Sequence, residues 1–573
     1  MMKQLTLITI VCLCLFFSVS SQAQNRYDIV ITEIMSDPTP QIGLPNFEWI
    51  EIRNTTSTPI NIQNWRVGDA GGISGALPNF LLQPDSSAII CGSTAAATMQ
   101  QYGRTFSVTS FPSLDNDGEM IFIRSNTGIT IHAVEYSKNW HSNAVKSDGG
   151  WTLEMMDIKN PCSGSSNWKS STDARGGTPG IKNAVDGNNK DVTAPMLIRA
   201  FATDSVTLLL SFDEPLDSLS GATIANYQIS DGIGTALSAI SISPVFNAVQ
   251  LKLNTILQRN KVYTITASNV KDCAGNTIGS FNNAKIGLSS VADSLDVVIN
   301  EVLFNPKSDG TDYVELYNRS TKIINIKELF IANRNSTNVI SSLKQISLQN
   351  IAMFPGEFLV ISEDETIVKR QFVAKNLSAF INISSMPSYS DDKGNVILTN
   401  NAGKIIDELA YDDKWHFALI SNTEGIALER IDPNAKTQNK DNWHSASKDA
   451  GYGTPSYQNS QFRLDLQVQG DVNTNPEVFS PDNDGTDDFL TISYRFPETG
   501  YVMNITVYDA GGRPVKNLQR NAVCSQSGNF RWDGLNDKMQ QLPVGPYIIF
   551  TEVFNLAGKV KRFKNQVVLA RRF

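Results

Sequence analysis

Histidine is scarce: four residues in 573, namely His132, His141, His416 and His444, with no HxH or HExxH spacing among them. That removes the usual zinc signatures. Cysteine is almost as rare, at six residues, and two of them (Cys12 and Cys14) lie in an N-terminal apolar run. The remaining Cys91, Cys162, Cys273 and Cys524 are too few to hold a fold of this length together with disulfides. Charged residues make up only 18%, with a net charge of −9. A general nucleic-acid binder needs a basic face to displace phosphate counterions, so that class is not expected. No later segment approaches 18 consecutive apolar residues, and no stretch of 12 or more carries helical periodicity. There is no nucleophile elbow, Walker loop, Cys-x-x-Cys pair or dinucleotide fingerprint.

What is present begins with a leader. Lys3 precedes an apolar run from Leu5 to Val19, followed by Ser21-Gln22-Ala23. This has the form of a secretory signal peptide, residues 1–23, cut after Ala23. At roughly 150 residues per domain, the chain has room for about four.

The chain repeats itself. DIVITEIM (Asp28–Met35) matches DVVINEVL (Asp296–Leu303), and EWIEIRN (Glu48–Asn54) matches DYVELYN (Asp312–Asn318). NTGITIHAVEYSKNWH (Asn126–His141) matches NAGKIIDELAYDDKWH (Asn401–His416) at an offset of 275. LEMMD, NWKSS and GGTPG in the first half then match LERID, NWHSA and GYGTPS in the second, in the same order. The spacing defines two copies of one domain, residues 25–183 and 293–458. Within each, short β-branched runs such as Ile29-Val30-Ile31 alternate with turn signals such as Asn116-Asp117-Gly118. The expected fold class is all-β, a tandem of immunoglobulin-like β-sandwiches in four modules.

The opening I-x-E-hydrophobic, the E-hydrophobic-E-hydrophobic-x-N block and a Pro-Gly- or Pro-Asp-led strand resemble the lamin tail domain, an immunoglobulin-like sandwich. The resemblance implies an interaction role and brings no catalytic residues. Between the copies, FDEPLD (Phe212–Asp217), Asn226-Tyr227, Tyr263-Thr264-Ile265 and VKDCAGN (Val270–Asn276) are similar to bacterial Ig-like domains of surface proteins, over residues 194–290. The last module, residues 463–573, contains VFSPDNDGTDDF, ITVYDAGGRPV, Trp532-Asp533-Gly534 and VGPYIIF. It resembles the sorting domain of type IX secretion cargo, the gliding-motility-associated kind, and the Ig-like module of the flagellar hook-cap protein. Asp482, Asn483 and Asp487 stand where those families carry Asn, Gly and Asn.

Candidate sites follow from residue type and spacing. Asp482, Asp484, Asp487 and Asp488 crowd round Gly485, an oxygen-only set suited to Ca²⁺. The competing reading is a turn whose carboxylates cap backbone N–H groups. Glu33, Glu51, Glu301 and Glu315 recur at equivalent places. They read either as acid/base pairs or as structural carboxylates bonded to backbone, and their place in strands favours the second. Trp140-His141 and Trp415-His416, with Trp168 and Trp443, read as rings packed on the sandwich end or as a sugar platform. Cys91 and Cys162 both lack a cysteine counterpart in the second copy (Ser362 and Thr437), as a bonded pair would. Cys273 and Cys524 read as isolated buried thiols.

These features together lead to the expectation of a non-enzymatic, exported, modular adhesive or structural protein of a Gram-negative bacterium. The resemblances imply two partners, outer-membrane secretion machinery for residues 463–573 and an extracellular protein or glycan for the rest. An accessory role beside a separate extracellular hydrolase, binding carbohydrate or nucleic acid, is the alternative. No transmembrane helix is expected in the mature chain.

Overall fold

The computed structural model describes residues 25–462, 470–555 and 560–571. The leader, with Cys12 and Cys14, lies outside the described residues. Strands dominate, and the α-helices Ala96–Met99, Ser218–Gly221 and Glu365–Gln371 run to at most seven residues. Among the described residues no helix is long and apolar enough to cross a membrane. The described chain falls into two compact units, one of the first repeat and most of the Ig-like module, the other of the second repeat and the C-terminal module.

Each repeat is built on a six-stranded sheet. In the first its order is Trp168–Ser170, Leu153–Met155, Ile29–Met35, Trp49–Asn54, Ser87–Gly92, Thr105–Val108. In the second it is Trp443–Ser445, Leu428–Arg430, Val297–Leu303, Tyr313–Asn318, Phe358–Ser362, Phe380–Asn382, the same order element by element. A smaller sheet covers one face, made of Arg66–Gly68, Met120–Arg124 and Thr130–Glu135 in the first copy. The core between them gathers Ile31, Ile50, Ile52, Trp65, Ile121 and Trp168.

Alternation along a strand sends successive side chains to opposite faces, so a strand with one wet face alternates in burial. The central strands Ile29–Met35 and Val297–Leu303 do not: every residue in both is buried. The second face of the sheet is covered by the chain that follows the sandwich, residues 137–187 and 413–461. In the first copy that face holds a second apolar cluster, Met35, Leu44, Trp49, Ile89, Cys91 and Met99.

The Ig-like module pairs Thr207–Phe212, Ala248–Lys252 and Ser238–Ser241 in one sheet and Tyr227–Ile229, Tyr263–Ala267 and Asn283–Ile286 in another. The C-terminal module sets three strands (Asp471–Asn475, Leu490–Arg495, Ser527–Trp532) against five, centred on Tyr501–Asp509 and Gly545–Asn555.

Candidate functional site

The repeated glutamates form a ladder of three in each copy. Cross-strand register sets Glu33 beside Glu51 on one side and beside Glu154 on the other. Glu301 stands likewise between Glu315 and Glu429. All six are buried, on the face covered by the closing segment of the repeat, which supplies their hydrogen bonds. Thr178 N–H donates to Glu33 (2.7 Å), Thr178 Oγ1 to Glu154 (2.8 Å), Gly180 N–H to Glu51 (2.7 Å) and Val185 N–H to Glu154 (3.1 Å). In the second copy Thr454 N–H donates to Glu301 (2.9 Å), Ser456 N–H to Glu315 (2.5 Å) and Gln461 N–H to Glu429 (2.8 Å). The Gly-Thr-Pro motif is therefore a clasp, and the carboxylates are what it closes on.

Burying like charges side by side disfavours ionisation. Burial, then the neighbouring carboxylates, pushes Glu33 and Glu315 well above the ordinary carboxylate range. Glu51 and Glu429 rise to about 7, chiefly through burial, and Glu301 to about 8, through burial and then Glu429. One contact is consistent with a bound proton. Thr454 Oγ1 lies 3.0 Å from Glu301 Oε2 and 2.8 Å from Glu429 Oε1. A hydroxyl has one proton to give, so both contacts are hydrogen bonds only when one carboxyl is protonated and donates back. All six glutamates are structural groups closed off by their own chain.

The Trp-His blocks are also structural. Trp140 stacks near Trp168 with ring centroids 6.2 Å apart, at the end of the first core, and Trp415 and Trp443 pack on the second. His141 Nδ1 pairs with Ser170 Oγ (2.5 Å), and His416 Nδ1 with Ser445 Oγ (2.9 Å), the same bond in both copies. Burial lowers both imidazoles to about 4.

The cysteines require two corrections. Cys162 is bonded to Cys273, with Cα atoms 6.2 Å apart, and Cys91 is a buried free thiol. Cys91 does not meet Cys162 because it points into the apolar cluster around Trp49 and Ile89, whereas Cys162 lies at the margin facing the Ig-like module. Cys273 is thus not isolated; the bond joins the first repeat to the Ig-like module. Cys524 is a buried free thiol.

The aspartate loop assembles three of its four carboxylates. Asp482, Asp484 and Asp488 bring oxygens within 4.8 Å of one another. Asp487 is outside that group; its backbone takes φ 51° and its carbonyl accepts Ser480 N–H (2.9 Å). The three already cap the loop: Asp488 accepts from Asn483 (2.6 Å) and Gly485 (2.9 Å), Asp482 from Asp484 (3.2 Å), Asp484 from Thr486 (2.9 Å). A second oxygen set escaped the sequence reading, Asp191, Glu214 and Asp272, also within 4.8 Å. Burial, then Asp272 and Asp191, raises Glu214 to about 8. Either set has the donor chemistry of a hard divalent cation. The second was not legible because its members come from three distant segments.

Residues 22–138 and 290–413 match the Lamin Tail Domain model, and residues 192–288 the Bacterial Ig-like domain model. The chain carries two lamin tail domains around one bacterial Ig-like domain. No curated protein matches the sequence. Among solved structures, the N-terminal part of the bacterial S-layer protein SbsC aligns at 15% identity, over 38% of this chain and 44% of that one, TM-score 0.16. A DUF4876 family protein from Bacteroides thetaiotaomicron aligns at 11% identity, over 41% and 96%, TM-score 0.18. A tetra-tandem repeat of a large adhesion protein aligns at 11% identity, over 95% and 99%, TM-score 0.12. Likenesses of this size carry no functional argument. The ladder and clasp occur in both repeats, with the third rung and the clasp lying beyond the residues that match the Lamin Tail Domain.

Proposed function

We propose that the protein is an exported, modular binding protein of the cell surface, non-enzymatic, sorted by its C-terminal module through a type IX route. The observation that carries this reading is the Cys162–Cys273 bond. Disulfides persist in oxidising compartments and are rare in the cytosol, so a bond fixing one module to the next suits life outside the cell. The non-enzymatic part rests on the glutamates, whose pairs are covered by the clasp rather than set across a cleft. The sorting part rests on the FSPDNDG, VYDAGG and WDG blocks in their order.

The test is fractionation and surface proteolysis of cells making the full chain or a chain ending at residue 462. The full chain is expected at the surface and in the medium, and the shortened chain in the periplasm. Equal surface exposure of both chains would overturn the sorting role, and retention of the full chain in the cytoplasm would overturn export.

A further inference from the structure

The two lamin tail domains differ at one end of the sandwich. In the first, three loops (residues 36–48, 92–95 and 109–113) border an open cleft of ≈480 Å³ within a single domain. That volume lies in the range of small-ligand sites, roughly 300–1,000 Å³. Phe47 and Phe111, both half-buried, form part of its lining. The exposed residues Ser93, Thr94, Ser110 and Ser113 also line it, and their hydroxyls have no hydrogen-bond partner among the described residues. Glu48 lines it too; its Oε2 accepts Leu114 N–H at 3.0 Å, which leaves Oε1 for a ligand.

In the second domain two side chains span the matching loops. Cross-strand register aligns Gly92 with Glu363, Ser110 with Ser385 and Phe111 with Met386. Glu363 reaches across and accepts Met386 N–H at 2.7 Å. Ser385 Oγ accepts from Lys344 Nζ at 2.6 Å. Gly92 has no side chain to reach with, and a Cβ there would meet only Phe111 Cβ, at 3.9 Å. The first copy lacks both contacts, since Gly92 has no side chain and Ser110 has no lysine partner.

We propose that this cleft of the first lamin tail domain binds a neutral saccharide. Phenylalanine faces take the C–H faces of a sugar ring, and hydroxyls that both donate and accept match its vicinal hydroxyls. Glu48 supplies a charged acceptor, and the lining carries no Lys or Arg to hold a uronate or phosphate. The proposal rests on the surface-binding reading above and names its ligand class.

The test is affinity electrophoresis of the full mature chain through gels cast with galactomannan, xyloglucan, mixed-linkage β-glucan or polygalacturonate. Retardation is expected in at least one neutral gel and absent in polygalacturonate. Gly92→Glu, which copies the second domain, and Phe111→Ala are each expected to weaken retardation at least tenfold. Gly92→Glu is expected to keep the parent melting temperature, because the same fold already carries glutamate there. Retardation unchanged by both variants, retardation only in polygalacturonate, or none in any neutral gel would each overturn the proposal. A chain that fractionates to the surface yet shows no neutral retardation loses this inference and keeps the broader reading.

Discussion

Replacing Glu301 with alanine is expected to destabilise the second lamin tail domain by about 3–5 kcal/mol at pH 5, the scale for emptying a buried polar network. The side chain accepts from Tyr313 Oη (2.6 Å) and Thr454 N–H (2.9 Å) and meets Thr454 Oγ1 (3.0 Å), all within a fully buried site. Alanine strands two of those donors outright and opens a cavity between Glu315 and Glu429. The effect should shrink with rising pH. Glu301 has its folded pKa near 8 against an ordinary value of 4.5, so its folded form holds a proton that the unfolded chain gives up. Stability from this group is full below the unfolded value and is lost as pH rises through the folded one, at up to about 1.4 kcal/mol per pH unit. Glu301→Gln keeps an acceptor for Tyr313 and Thr454 with no proton to lose, and should flatten that decline between pH 5 and 8. The readout is hydrogen exchange at the amides of Thr454, Ser456 and Gln461, the clasp itself. Equal pH dependence in the parent and Glu301→Gln would refute the account.

The second large effect comes from a lock that the two copies build differently. At the bulge in the central strand of the first copy, Ile31 N–H donates to His132 Nδ1 (2.9 Å), and His132 Nε2 meets the Pro161 carbonyl (3.1 Å). In the second copy Ile299 N–H donates instead to Asp407 (2.9 Å). That carboxylate is neutralised by Arg430 Nη1 (3.2 Å), both side chains being almost wholly buried. Removing one partner of a buried ion pair leaves the other charge without compensation, at about 3–5 kcal/mol. Arg430→Met is expected to destabilise the domain by that amount. Asp407→His added to Arg430→Met reproduces the first copy, where Met155 occupies the place of Arg430, and should recover most of the loss. Denaturant midpoints of the parent, the single and the double variant decide it; a double variant no better than the single one would sink the equivalence.

The β-sandwich architecture was legible because the chain carries its own alignment, with strands appearing twice at matched spacing. The structural role of the paired glutamates was legible for the same reason. The third rung was not: Glu154 and Glu429 sit inside the matched LEMMD and LERID blocks, yet nothing local says which strand will lie beside which. The disulfide failed on the same ground. Absence from the second copy singled out Cys91 and Cys162 together, but the partner of Cys162 sits in another module. In the second copy Thr437 stands in its place and donates to Asp407 (2.5 Å). The cleft was hidden by the smallness of the sequence change, Gly92 standing where the other copy has Glu363.

The position of the clasp sets the order in which a lamin tail domain can be finished. Its central strand, Ile29–Met35, is among the first residues made, and its neighbour Leu153–Met155 and the amides of Thr178 to Val185 are among the last. Such long sequence separations make closure a late and slow event. As the chain emerges N-terminus first, the glutamates stay hydrated until the final residues of the repeat arrive. Closure then draws protons from solvent to Glu33 and Glu51, which burial pushes up. Until that moment the half-built sheet carries carboxylates on the face it will later bury.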